Sequence, residues 1–277
     1  MRANDKKITI VFRYIFLTIG AILMIIPFIW LILTAFKTTQ ELQTNPLAIL
    51  PQTWRWQNFV DVFKTAPFGK YFINSLIMSV ISTIAILYTS TMAGYIFAKY
   101  RFIGNKLVFG VILATAIVPL ECYMIPVFLR LRQMNLIDTM GGLVAPYLVM
   151  SFGIFFMRQN AKALVPDELL EAARADGASE FRIFWQIVVP ILSSSLAALG
   201  ILAFLEAWNA YVWPLIVVNS DELFTMELGL SRFQSAYTLN IPLITAGSLV
   251  SILPITIVYI FLRRQILDSF ATTGLKG

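Results

Sequence analysis

Two carboxylates, Glu121 and Glu206, stand inside long apolar stretches, AIVPLECYMIPVF and ILAFLEAWNAYVWPL. A charge in such surroundings is costly, so an acidic side chain there points to a solute or ion pathway. Tyr123, Trp208, Asn209, Tyr211 and Trp213 lie close by in sequence. Flat apolar faces mixed with hydrogen-bonding groups suit a hydrated polyol better than a lipid. The same residue types have a plainer use, because Trp and Tyr gather at membrane interfaces and Asn209 or Asn74 can hydrogen-bond across helices. No histidine is present, and Cys122 is the single cysteine. The commonest metal ligand and an internal disulfide are therefore both excluded.

The other chemistry-bearing stretch is VPDELLEAARADGASEFRIFWQIVVP, Val165 to Pro190, where charge of both signs is dense. The pattern predicts two short helices. Asp167 and Glu168 follow Pro166 in a first turn, where acidic side chains favour the helix dipole and proline suits the first helical position. Leu169, Ala172 and Ala173 fall at i, i+3 and i+4 as a narrow apolar stripe. Gly177 interrupts the pattern with the backbone freedom of a sharp turn. Phe181, Phe184, Trp185, Ile187 and Val188 then resume an apolar face up to Pro190. Such an elbow fits a docking knob for a soluble partner, and it also fits an ordinary solvated loop.

These stretches must be positioned by a membrane bundle. The chain of 277 residues is 58% apolar and 13% charged, with a mean hydropathy of +0.78, too little polar surface for a soluble core of this size. Apolar windows run near Tyr14 to Phe36, Tyr71 to Ala98, Leu107 to Leu129, Gly141 to Met157, Ile191 to Val218 and Ile241 to Leu262. A span takes about 20 apolar residues, so the expectation is an all-α polytopic membrane protein with six transmembrane helices in a single domain. Pro27, Pro119, Pro126, Pro214 and Pro254 fall inside these windows, which packed spans tolerate. The first window follows MRANDKK and is too long for a cleaved signal peptide, so it reads as an uncleaved span.

Of the 21 Lys and Arg residues, fourteen fall on the side holding the N-terminus, residues 99–106, residues 158–190 and the C-terminal tail. Seven fall on the other side. The excess places both termini in the cytoplasm of a cytoplasmic-membrane protein. The net charge of +6 sits at the ends of apolar runs rather than in a stripe with interleaved aromatics, which argues against nucleic acid as a partner. No G-x-x-x-x-G-K-[ST] loop exists, and Gly69-Lys70 is a lone pair, so the chain is not itself a nucleotide-hydrolysing enzyme. A transport subunit, an ion-coupled secondary transporter using Glu121 and Glu206, and a structural membrane subunit remain. The second class usually carries internal repeats, and none is evident. The third needs no polar residues in AFLEAWNAY.

The string EAARADGAS, with Ile187 and Pro190 downstream, resembles the EAA motif of ABC-importer permeases: EAA, three residues, Gly, about nine residues, then I-x-x-P. Glu171, Ala172, Ala173, Asp176, Gly177, Ala178, Ile187 and Pro190 all fall in register. LPQTWRWQNFVDVF, YFINSL, PYLVMSFGIFFMRQ, AFLEAWNAYVWPL and RRQILDSFATTGLKG extend the resemblance over nearly the whole chain, to carbohydrate permeases of the maltose-transporter G-subunit type. The departures are Ser269 and Thr273, where relatives usually place glycine, and Ser194, where a second proline is common.

The resemblance implies a type I ABC-importer permease bundle for a sugar or oligosaccharide. It implies a coupling elbow at about 165–190, with Glu171 and Gly177 central and Arg174 and Asp176 in polar contact with an ATPase. It implies a cytoplasmic tail at about 263–277 reaching between two ATPase subunits. It further implies a homologous second permease subunit and an extracytoplasmic solute-binding protein met by the loop holding Phe224, Arg232, Phe233, Gln234 and Tyr237. No cofactor is expected on this chain, with ATP and Mg held by the partner ATPase. In that family the resembling subunit leaves sugar contacts mainly to its partner. The mechanism implied is alternating access, the elbow acting as a rigid lever.

Overall fold

The computed structural model describes residues 3–233 and 240–274, and gives no side-chain account of residues 3–9, 11, 232 and 262–274. Among the described residues every regular element is helical. In chain order they are α1 (Ala3–Ala35), α2 (Thr39–Thr44), α3 (Gln57–Thr65), α4 (Phe68–Lys99), α5 (Asn105–Thr115), α6 (Met124–Gln133), α7 (Met140–Val144), α8 (Ser151–Leu164), α9 (Asp167–Ala175), α10 (Glu180–Ile183), α11 (Val189–Ile191), α12 (Ser193–Trp208), α13 (Val212–Val217), α14 (Met226–Leu230) and α15 (Ile241–Gly274). The chain divides into two compact units, Met1–Phe68 with Leu230–Leu253, and Gly69–Gly229 with Pro254–Gly277.

Three described helices carry a continuous run long and apolar enough to cross a membrane, Phe12–Ala35, Phe68–Lys99 and Ile241–Phe261. Met140–Tyr147 with Ser151–Leu164, and Glu180–Ile191 with Ser193–Trp208, bring the number to five if each bent pair is one span; they bend by 47° and 80°. The third window splits into α5 and α6, each short of a full span. Six crossings are compatible with this pattern, but the third, fourth and fifth windows are broken rather than continuous. Pro27 and Pro254 lie within unbroken helices. Pro119 does not. Before it, Ala116, Ile117 and Val118 donate to the carbonyls three residues back, and Pro119 itself is extended at φ −66°, ψ 152°. Proline removes one helical donor and disfavours helix in the residue before it, so the ladder tightens and stops. The fifth window ends at Trp208, with Asn209 as the cap, and resumes at Val212.

In the first unit, Asn58 of α3 donates to the carbonyls of Ala35 and Lys37, both at 2.8 Å, closing the exit of α1. Lys37 is buried, with its ammonium donating to the Ala48 carbonyl and lying 5.0 Å from the Trp30 ring. Trp54 and Trp56, both exposed, pack on Phe36.

The second unit is built on a close crossing of α4 and α8. A Cβ on Gly94 would lie 2.7 Å from the Arg158 amide nitrogen and 2.9 Å from the Met157 carbonyl carbon, and a Cβ on Gly153 would overlap Ser90. Small residues let membrane helices approach at backbone distance. The core joins Ile86 and Tyr95 of α4, Met157 and Ala161 of α8, Val165, Leu170 of α9, Ile183, Phe184, Val188, Leu192, and Leu199 and Ala203 of α12.

At another place in this unit α6 ends in a left-handed cap. Asn135 has φ +56° and donates to Arg132 O, while Leu136 donates to Leu131 O, the paired closure of a Schellman motif. Asp138 follows at φ +57°. Its Oδ1 accepts from the amides of Asn219 and Ser220 at 3.0 Å and the Ser220 hydroxyl at 2.9 Å.

Candidate functional site: the elbow and the polar cavity

The elbow begins where Val165 is buried and Pro166 is extended at φ −69°, ψ 140°. Pro166 therefore caps α9 from one position outside it, and Asp167 opens the helix. The buried stripe is also shifted by one residue from the sequence expectation. Leu170 (2% exposed) and Ala173 face the core, while Leu169 and Ala172 are exposed with Glu171 and Asp176. Both stripes have helical spacing; the neighbouring α4 and α8 decide between them.

α9 ends in a Schellman closure of its own. Gly177 sits at φ +80°, its amide donates to Arg174 O at 3.0 Å, and the Ala178 amide donates to Ala173 O at 3.0 Å. This left-handed position is the one glycine accepts without strain. Ser179 then caps α10 by accepting from the Arg182 amide at 3.3 Å. A π-helical turn over Phe184–Val188 leads into Pro190; such wide turns recur where a helix is perturbed, here by a residue without a donor.

Polar contacts tie this elbow to the end of α4. Lys99 Nζ lies 2.7 Å from Asp167 Oδ1, and that hydrogen bond holds the Asp167 carboxyl below the usual carboxylate range. Arg174 Nε lies 2.7 Å from Glu180 Oε1. The Tyr100 hydroxyl also donates to Glu180, and the Arg174 guanidinium stands 5.8 Å from the Tyr100 ring. The bonds to Glu180 and Tyr100 raise the Arg174 pKa further, so it stays charged. Of the sequence candidates, Ala173, Gly177 and Ala178 thus build the turn, Arg174 closes it internally, and Glu171, Ala172 and Asp176 are presented outward. Phe181 is exposed beside them.

The polar residues of the fifth window meet in a cavity of about 350 Å³ lined by Glu121, Tyr147, Glu206, Asn209, Tyr211 and Trp213 among others. Glu206 and Tyr147 also line an adjoining cavity of about 240 Å³, with Tyr123. The break at Pro119 turns Glu121 toward α12, and the interruption after Trp208 exposes Asn209 and Tyr211. Trp208 lies elsewhere. It is fully buried, stacked on Phe204 at 5.6 Å and against the edge of Phe72 at 5.7 Å. Tyr147 is the lining residue that sequence reasoning missed; its place just after Pro146, inside an interrupted apolar window, was the available signal.

The loop after α13 is partly clamped within its own unit. Asn74 donates to the carbonyls of Glu222 and Phe224 at 2.8 and 3.0 Å. Phe224 is buried 5.7 Å from the Tyr71 ring. In the other unit Phe233 is buried 5.8 Å from Phe68. The Arg232 side chain, Gln234 and Tyr237 lie outside the described residues, as does the tail end Leu275 to Gly277. Among the described residues no group of three or more His, Cys, Asp or Glu side chains is arranged to hold a metal ion.

Broken apolar helices around a polar cavity, with a charged elbow braced against them, define a helical membrane permease. The chain belongs to the family of binding-protein-dependent transport system inner membrane components, whose model matches residues 90–266, a stretch holding both the cavity and the elbow. It is 35% identical over 268 residues to the arabinooligosaccharides transport system permease protein AraQ of Halalkalibacterium halodurans, covering 94% of this chain and 96% of that one. It is 32% identical to the lactose transport system permease protein LacG of Rhizobium radiobacter, covering 96% of each. In fold it matches a chain from the crystal structure of a bacterial ABC transporter involved in the import of alginate, with a TM-score of 0.83, 21% identity, and coverage of 96% of this chain and 99% of that one.

Proposed function

We propose that this chain is one permease half of an ATP-binding-cassette importer for a sugar or oligosaccharide. The observation that carries the reading is the elbow: a helix closed by Gly177, braced through Glu180 and Lys99 to α4, that turns Leu169, Glu171, Ala172 and Asp176 outward. A surface held by the spans and facing away from them suits a lever. The relatives named for arabino-oligosaccharides and lactose support a carbohydrate cargo, and the cavity at Glu121, Glu206 and Asn209 supplies acceptors for hydroxyl groups along the pathway.

In this reading ATP and Mg are held by two partner ATPase subunits, which close on the elbow and drive alternating access against a second, homologous permease. The termini and the elbow face the cytoplasm, in keeping with the fourteen-to-seven asymmetry of basic residues. An extracytoplasmic solute-binding protein delivers the cargo near the loop of Phe224 to Tyr237.

The test is uptake of labelled arabino-oligosaccharide and lactose into proteoliposomes containing the full transporter, with ATP inside or outside. Wild type should accumulate one of them only when ATP reaches the ATPase face, and Gly177→Trp should abolish uptake while remaining in the membrane. Normal uptake by that variant overturns the lever. Uptake driven by an ion gradient without ATP overturns the class and assigns Glu121 and Glu206 to ion coupling.

A further inference from the structure

At the end of α4 lies a third cavity, of about 640 Å³, apart from the polar pathway and sharing only Tyr100 with the brace of the elbow. It is lined by Arg101, Lys106, Arg158 and Lys162, with Asn105, Gly104 and the aromatic side chains of Phe97 and Phe102, and by no carboxylate. Lys99, a further cation that acts on Lys162, is occupied with Asp167. Arg158 is fixed in place: its Nε donates to Phe97 O at 3.2 Å and its guanidinium lies over the Phe109 ring at 4.0 Å. Lys162 is one helical turn further along the same face of α8. The N-terminus of α5 opens into the cavity at Gly104, φ +87°, with no side chain capping it. Four cations and the positive end of an 11-residue helix thus converge in a lining without a carboxylate; Asp167, which also acts on Arg101, is already bonded to Lys99, so the lining remains the electrostatic complement of an anion.

The apolar surroundings specify which anion. Phe102, Ile103, Leu107 and Val108, on the loop and first turn of α5 beside the cations, are exposed, Ile103 completely so. The cavity also sits where the apolar run of α4 ends at Lys99, the depth of a membrane–water boundary. A ligand with a phosphate joined to hydrocarbon satisfies both halves of the site, whereas a free phosphate leaves the apolar rim wet.

We infer that this cavity binds an anionic phospholipid, its phosphodiester held by Arg101, Lys106, Arg158 and Lys162 and its acyl chains lying against Ile103 and Leu107.

The experiment uses the full chain in mixed micelles with equimolar phosphatidylglycerol and phosphatidylcholine of matched acyl chains, read by native mass spectrometry. Wild type should retain phosphatidylglycerol in about tenfold excess or more, since each juxtamembrane basic residue favours an anionic lipid by up to roughly fivefold. The triple variant Arg101→Gln, Lys106→Gln, Lys162→Gln should fall to near parity. A control triple at Lys64→Gln, Arg130→Gln and Arg132→Gln should keep the excess. If the first triple does not fold, the exposed single variants K106Q and K162Q carry the test, each lowering the excess by about twofold or more. An undiminished excess in these variants overturns the site. So does displacement of the lipid by millimolar inorganic phosphate, or loss of the excess once ATPase subunits are assembled on the chain.

Discussion

Replacing Gly177 by alanine isolates one property of the elbow. Gly177 holds φ +80°, and a Cβ built there meets no atom within 4 Å. The substitution therefore adds no clash within the chain, and its cost is the left-handed backbone alone, roughly 1–2 kcal/mol for a residue with a Cβ. The amides that report on it are those of Gly177 and Ala178, which donate to Arg174 O and Ala173 O. If local opening of the turn exposes them, Gly177→Ala should speed hydrogen exchange of the Ala178 amide by about 5- to 30-fold, the factor that 1–2 kcal/mol represents. Asparagine tolerates the left-handed region better, so Gly177→Asn should fall between wild type and alanine, while β-branched Gly177→Val should exceed alanine. Exchange at Tyr95 and Met157, in the core beneath, should stay unchanged. Equal exchange in wild type, alanine and valine variants would refute the claim that this backbone position limits the turn. Acceleration spread equally through α4 and α8 would refute its locality.

Four further outcomes follow from the structure. Asp138→Ala removes the acceptor for three donors from Asn219 and Ser220, and should lower thermal stability by about 1–2 kcal/mol at neutral pH. The backbone hydrogen bonds from Ser220 and Asn219 depress the Asp138 pKa, so its folded value lies below its unfolded one; the contribution is complete above the unfolded value, about 4, and is lost as pH falls through the folded one, making the wild-type and alanine melting curves converge only in acid. Gly94→Ala places a Cβ 2.7 Å from the Arg158 backbone nitrogen, where no side-chain motion can relieve it, and should cost about 1–3 kcal/mol in detergent unfolding. Trp208→Ala should destabilise by about 3–5 kcal/mol, because the ring is fully buried between Phe204 and Phe72; Glu206→Gln, in the cavity wall, should leave unfolding nearly unchanged and alter uptake.

Much of the architecture was legible as one-dimensional pattern. The first, second and sixth windows are long apolar runs, and their helices run through Pro27 and Pro254 without a break. The spacing around Gly177 was equally readable, because a left-handed turn between two amphipathic segments leaves a local signature. What hydropathy did not separate was Pro27 from Pro119, since both stand in apolar surroundings; one remains in a helix and the other ends it.

Composition and charge distribution by themselves determined that this chain is an all-helical membrane protein with its mixed charge concentrated at Val165 to Pro190, because the bilayer enforces long apolar helices and concentrates charge outside them. Tertiary structure decided the rest. It selected Leu170 rather than Leu169 as the buried residue of α9, turned Arg174 inward to Glu180, brought Glu121 beside Glu206 across a broken helix, and withdrew Trp208 into the core. It also gathered Arg101, Lys106, Arg158 and Lys162, which sequence presents only as topology signals, into one cavity. Apart from the local Arg174–Glu180 pair, these outcomes depend on which surface a neighbouring helix offers, and contacts between residues far apart in the chain leave no periodicity to read.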